Sequence, residues 1–115
     1  MGAFAVFTLV AVMGMSMVHS FWRGYPVEQG YPIMHGSISL VGSAMVIEAA
    51  LAGDTRLYLN IGLAVVIILL GVMMGVLSKK GKKVPKVIIA SHIGLAVACY
   101  GILGFFTLNP HTTLI

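Results

Sequence analysis

Three histidines stand near the ends of long apolar runs, where an ionisable side chain is uncommon. They are His19, His35 and His92. A neutral imidazole is a good ligand for haem iron, because one of its ring nitrogens keeps a free lone pair. At about 1.5 Å per helical residue, each histidine lies roughly 5–9 Å inside one end of its run. Since consecutive runs alternate in direction, all three are expected at one depth near one membrane surface.

His35 and His92 are each followed by small residues, which leave room for a flat macrocycle but also permit close helix packing. We interpret the two as axial ligands of a b-type haem, with Arg23 near its propionates. His19 could replace either ligand or bond a propionate. A chlorophyll-type pigment or a quinone headgroup would suit the same features. Histidines on the second and fourth helices are similar in architecture to those of small membrane cytochromes b.

The segments around His35 and His92 also indicate a weak internal repeat of a helical hairpin. A histidine near a membrane surface has an ordinary explanation as well, since its amphipathic ring is stable among lipid headgroups without a metal. A zinc site is disfavoured, because no carboxylate or cysteine joins the three histidines at their depth.

Glu48 lies inside an apolar run, roughly 8 Å from the opposite surface. A carboxylate there could carry protons or bind a cation, as a small transporter requires. Alternatively, Glu48 bonds to Arg56, Tyr58 or Asn60 across the short turn that follows. The sequence leaves both interpretations open.

The composition places these residues in a membrane. The chain has 115 residues, of which 59% are hydrophobic and 9% are charged, and its mean hydropathy is +1.04. Soluble domains carry about 25% charged residues, so a soluble enzyme, a nucleic-acid-binding module and a disordered tail are excluded. We predict an all-α membrane protein, a compact bundle of four transmembrane helices that forms one domain over residues 1–115. The predicted spans are about 3–22, 32–53, 57–77 and 87–108.

The basic residues predict the orientation of this bundle. Arg23 and the five lysines between Lys79 and Lys86 fall on the side of the histidines, and Arg56 falls on the opposite side. The positive-inside rule therefore places the lysine connection in the cytoplasm and both termini outside, as in a bacterial inner membrane. At the outer turn, Asp54 or Thr55 is expected to cap the third helix.

Small-residue patterns predict close helix packing, either within the bundle or against another subunit. In the third helix the pattern is Gly71 and Gly75. In the fourth helix it is a stripe formed by Ala90, Gly94 and Ala98.

The sequence thus favours a small membrane subunit that binds haem b through histidines and exchanges electrons with quinone or a larger complex. The alternative is a cofactor-free accessory subunit of a larger membrane complex, and a third hypothesis is a proton- or cation-coupled transporter that uses Glu48. The sequence shows no pair of a nucleophile and a base that would indicate a stand-alone enzyme. Membrane lipid is an expected partner and nucleic acid is not.

Overall fold

A computed structural model describes residues 2–110 of the chain, so Met1 and the tail from residue 111 lie outside the description. Within this range the protein is all-helical, and each helix is long and apolar enough to cross a membrane. The four predicted spans are confirmed as helices. The second helix begins and ends two residues earlier than predicted, because Ala52 and Gly53 already belong to the turn. The helices are α1 (Gly2–Arg23), α2 (Gly30–Leu51), α3 (Leu57–Lys79) and α4 (Lys86–Leu108).

The four helices pack in a ring. α1 contacts α2 and α4, and α3 contacts the same two helices, so α1 lies diagonally opposite α3 and α2 lies diagonally opposite α4. The bundle measures 45 × 20 × 20 Å. A helix of 22 or 23 residues is about 33–35 Å long, which matches the roughly 30 Å hydrocarbon layer of a bilayer.

Two glycines end the helices at the end of the bundle where the histidines lie. Gly24 follows α1 with φ 74° and Gly81 follows the C-cap of α3 with φ 72°, a left-handed conformation that favours glycine. The next residue in each case donates a backbone hydrogen bond back into the helix. These bonds join the Tyr25 nitrogen to the Ser20 oxygen at 2.8 Å and the Lys82 nitrogen to the Leu77 oxygen at 2.9 Å. α1 and α3 therefore end in the same Schellman-type turn.

Most of the buried apolar residues cluster at the opposite end of the bundle, near the α2–α3 turn, and Val10 and Met13 of α1 are buried apart from this cluster. Many other large apolar side chains are exposed on the outer faces, as expected where the surrounding solvent is lipid. The buried cluster consists of Val46, Ala50, Leu57, Leu103 and Phe106.

Polar side chains join neighbouring helices in two further places. Asn60 of α3 is only 2% exposed, and its Nδ2 donates to the Cys99 carbonyl of α4 at 3.0 Å. The hydroxyls of Thr8 and Tyr100 lie 2.7 Å apart and join α1 to α4, and the Tyr100 ring stacks on Phe4. Asn60 therefore faces α4 and does not bond to Glu48.

Arg56 ties the α2–α3 turn to the end of α4. Its Nε and Nη2 donate to the two carboxylate oxygens of Asp54 at 2.8 and 2.9 Å, and its Nη1 donates to the Asn109 carbonyl at 2.9 Å. The guanidinium carbon lies 4.8 Å from the centre of the Phe106 ring. The N-cap residue of α3 is Arg56, whose side chain forms no capping bond. The Asp54 carboxylate, one of the two predicted caps, bonds to the Arg56 side chain and also interacts with the Arg56 backbone nitrogen.

The Arg56 interaction predicts a pH-dependent contribution to stability. Hydrogen bonding from Arg56 lowers the pKa of the Asp54 carboxyl below its ordinary value. A carboxyl whose pKa is lower in the folded state stabilises that state above the unfolded pKa, and the effect is lost as the pH falls through the folded pKa. Asp54→Asn should therefore lower the thermal unfolding temperature in detergent by a few degrees at neutral pH and have little effect at about pH 2.

The matched control is Glu28→Gln, which removes an exposed carboxylate that forms no ion pair within residues 2–110. It should change the unfolding temperature little at either pH. A destabilisation by Asp54→Asn that is equally large at both pH values would contradict the assignment.

Candidate functional site

His92 packs against the backbone of α3. Its Nδ1 lies 2.9 Å from the carbonyl oxygen of Ile67, which can only accept a hydrogen bond. In the neutral ring, Nδ1 therefore carries the proton, and Nε2 keeps the lone pair. A backbone carbonyl in this position commonly fixes the ring orientation of a metal-binding histidine.

Gly71 makes this approach possible. A Cβ atom at Gly71 would lie 3.2 Å from Cε1 and 3.7 Å from Nδ1 of His92, so a side chain there would displace the ring. Ile67 is one helical turn before Gly71, and the imidazole therefore lies along one face of α3. Within the bundle, the packing face predicted at Gly71 and Gly75 is found at Gly71, and no atom of residues 2–110 lies within 4 Å of the Cβ position at Gly75. Packing of Gly75 against another subunit stays a prediction.

His35 has the equivalent position against α1. A Cβ atom at Gly14 would lie 3.3 Å from Cε1 of His35, and the backbone of Val10, one turn before Gly14, also interacts with the ring. The two histidines differ in one respect. His35 Nδ1 is buried and has no hydrogen-bond partner within the described part of the chain, whereas His92 Nδ1 is bonded.

These equivalences follow one spacing. His35 and His92 are 57 positions apart, as are their glycine partners Gly14 and Gly71 and the backbone positions Val10 and Ile67. The same spacing separates the helix-ending glycines, Gly24 and Gly81, and the last residues of α2 and α4, Leu51 and Leu108. The α1–α2 hairpin and the α3–α4 hairpin are therefore two copies of one structural unit, packed side by side.

The two imidazoles lie at the same level of the bundle. His35 is the sixth residue of α2 and His92 is the seventh residue of α4, and the two rings are close enough to interact electrostatically. Both side chains are partly buried. On the other diagonal, α1 and α3 present Gly14 and Gly71 to the rings. This level of the bundle therefore holds two nitrogen ligands and two positions without side chains.

The other predicted site residues lie apart from this pair. His19 is exposed and lies about 140° around α1 from Gly14, at about 100° per residue. Arg23 is exposed at the end of α1. Glu48 is exposed on α2 and its carboxylate forms no hydrogen bond within residues 2–110.

The chemistry available at the histidine pair is that of a two-ligand site. Among residues 2–110 no three histidine, cysteine or acidic side chains come together in a way that could hold a metal ion by themselves. Two imidazoles are sufficient for a metal whose remaining ligands come from a macrocycle. The donor set thus fits haem and does not form the usual four-ligand zinc site.

Gly14 and the two backbone carbonyl positions were not predicted as parts of the site. The spacing between glycine and histidine is the same in both halves, 21 positions from Gly14 to His35 and from Gly71 to His92. Comparison of the two halves of the sequence at this register would have found them.

Comparison of the chain with protein-family models, with curated proteins and with solved structures gave no match. The interpretation of the site therefore depends on its own geometry.

The contact between Gly71 and His92 predicts different effects of two similar substitutions. Gly71→Leu should displace the His92 ring, break its bond to Ile67 and lower stability by about 1–3 kcal/mol, as overpacking commonly does. Gly75→Leu, one turn later on the same helix, should be tolerated, because its Cβ position is open. Thermal unfolding of both variants in detergent measures the difference. Equal effects of the two substitutions would contradict the contact.

Proposed function

We propose that the protein is a membrane electron-transfer subunit that holds a b-type haem through His35 and His92. The observation that carries the proposal is the equivalent placement of the two histidines, on diagonal helices at one level, each opposite a glycine. Two imidazoles at one level of the bundle would be able to bind one metal together.

The hydrogen bonding of each imidazole ring supports a role as a metal ligand. The bond from His92 Nδ1 to the Ile67 carbonyl leaves Nε2 as the ligand atom. His35 Nδ1 is buried near the Val10 backbone, without a hydrogen-bond partner within residues 2–110, so a proton on Nδ1 would leave Nε2 of His35 as the ligand atom, as in His92. Metal coordination by one nitrogen fixes the proton on the other and makes the ring a hydrogen-bond donor.

The charges at this end of the bundle suit the carboxylates of a haem. Arg23 and the lysines of the α3–α4 connection are exposed around the level of the histidines, and cationic groups near carboxylates stabilise the ionised form. When bound, the haem supplies one-electron redox chemistry. His35 and His92 would hold the iron, and their imidazoles would tune its potential.

The same basic residues support an orientation with the lysine connection in the cytoplasm and both chain termini outside, in a bacterial inner membrane. Quinone or another membrane subunit is then the electron partner, since both are accessible within the bilayer. A chlorophyll-type pigment held by the same imidazoles remains an alternative cofactor of the same site.

The test is an absorbance spectrum of the detergent-purified protein, expressed with haem available and recorded before and after reduction with dithionite. The proposal expects a Soret shift and a sharp reduced α-band. His35→Ala and His92→Ala should each reduce haem content to background. The matched control is His19→Ala, which removes an exposed histidine at similar depth and should leave the spectrum unchanged.

Two outcomes would overturn the proposal. One is a featureless spectrum from correctly folded wild-type protein supplied with haem. The other is a haem spectrum that persists in both His35→Ala and His92→Ala.

A second candidate function is a cofactor-free accessory subunit. It is favoured by the stripe of Ala90, Gly94 and Ala98, which is exposed on the outer face of α4 and contacts no other helix at Gly94. Small residues on a lipid-facing surface permit another helix to approach closely. A transporter that uses Glu48 comes third, and the outward position of this residue without a hydrogen-bond partner gives it no pathway through the bundle.

The accessory role predicts that Gly94→Leu leaves the bundle folded but removes its association with another membrane subunit. The bundle tolerates the change because nothing lies within 4 Å of the Cβ position. The matched control is Gly62→Leu on α3, where the position is also exposed and open. Native gels of membranes solubilised in mild detergent measure the complex size. A complex that Gly94→Leu leaves intact would exclude this surface as the interface.

A further inference from the structure

A groove runs along the outer side of α1 beneath the α1–α2 connection. Its lower part is an open face of α1 alone, and its upper part, a shallow depression of about 210 Å³ that is open to the surroundings, is also lined by the connection and the start of α2. Ser16 and Ser20 line both parts, so the groove is continuous. The remaining residues are Val12, Met15 and His19 in the lower part, and Met17, Pro26, Val27, Glu28 and Tyr31 in the upper part.

The polar groups of the groove are available to a ligand. The side chains of His19, Ser20, Glu28 and Tyr31 form no hydrogen bond with any residue in the range 2–110. The hydroxyl of Ser16 does donate to the Val12 carbonyl at 3.1 Å, but its oxygen can still accept. The groove therefore offers hydroxyl and imidazole donors next to apolar walls.

The charged side chains that line the groove indicate which kind of headgroup it binds. No lysine or arginine lines it, although Arg23 and five lysines lie at the same end of the bundle. The charged side chain that does line it, Glu28, is acidic and would repel a phosphate. An uncharged ring with oxygen substituents, which accepts hydrogen bonds from hydroxyls and packs against apolar side chains, is the better match.

We propose that this groove binds the headgroup of a membrane quinone, with Ser20 and Tyr31 as hydrogen-bond donors to its oxygens. The upper depression, about 210 Å³, is smaller than the roughly 300–1,000 Å³ of pockets that hold whole drug-sized ligands. In this proposal the ring lies in the upper depression and the isoprenoid tail lies in the lipid, along the exposed Val12 and Met15 of the lower part.

A quinone bound in this groove would be the electron partner of the haem, and this step rests on the proposed haem function. Met17 lines the groove, and Gly14, about one turn earlier on α1, contacts the His35 ring. Met17 and Gly14 are three residues apart, so at about 100° per residue their positions differ by about 60° around α1. The proposed quinone site and the contact with His35 therefore lie on neighbouring faces of the same stretch of α1.

The chain carries a reporter for this site that does not depend on haem. Trp22 is its single tryptophan and lies two residues after Ser20. Quinones quench tryptophan fluorescence at short range, so titration of the detergent-solubilised full-length protein with decylubiquinone should give saturable quenching. Ser20→Val combined with Tyr31→Phe should weaken binding about tenfold, the effect of two lost hydrogen bonds.

The matched control is Ser37→Val combined with Tyr58→Phe, which makes the same chemical changes at exposed positions outside the groove. It should bind quinone as the wild type does. Circular dichroism of both double variants checks that they are folded. Quenching that does not saturate, or that both double variants weaken equally, would overturn the proposal, as would equal displacement of the quinone by phosphatidylglycerol or phosphatidylethanolamine.

The His35→Ala variant separates this proposal from the haem function. It should lack haem and still bind decylubiquinone with unchanged affinity. Wild-type protein that binds quinone saturably but shows no haem spectrum would disprove the haem function and leave the quinone site standing. Protein that binds haem but gives no saturable quenching would disprove the quinone site alone.

Discussion

The approach of an imidazole ring to the backbone of a neighbouring helix organises the bundle at its basic end. A histidine is too large to fit between two closely packed helices unless the facing residue has no side chain, and Gly14 and Gly71 provide that space. In a low-dielectric environment a polar ring also needs a polar contact, and a helix offers few free ones. His92 makes such a contact with the Ile67 carbonyl, which accepts a hydrogen bond from the His92 side chain although it belongs to the backbone of α3. The orientation of the ring follows from these two conditions.

The contact between a glycine and a histidine occurs once in each hairpin, at positions 57 residues apart. At other equivalent positions the two hairpins differ. Cys99 in the second hairpin exchanges hydrogen bonds with Asn60. Its counterpart in the first hairpin is Gly42, and the side chains of Phe7 and Val6 occupy the space beside this glycine. The same helix pair is thus joined by polar contacts in one copy and by apolar packing in the other. The glycine and histidine pair is retained in both copies, so it is a common property of the unit.

The helices could be predicted from the sequence because length and hydropathy determine a membrane span, and Gly24 and Gly81 show where two of them end. The side of each helix that faces its neighbours could not be predicted from the sequence. A helix that is apolar all round has no polar face to identify its exposed side. Residues that share one depth in the membrane were therefore predicted to lie close together. His19 shares the depth of His35 but lies on the outer surface. Asn60, expected near Glu48, instead lies buried against α4 because an amide at this depth bonds to an available backbone carbonyl.

Different contacts hold the two ends of the bundle together. Near the α2–α3 turn, buried apolar side chains and the Arg56 contacts to Asp54 and Asn109 hold the helices together. Near the histidines, Val10 and Met13 are buried as well, and Gly14 and Gly71 leave room for the His35 and His92 rings against α1 and α3. Packing at the histidine end therefore depends on the close fit of each ring to a glycine, because any side chain at that glycine would meet the ring.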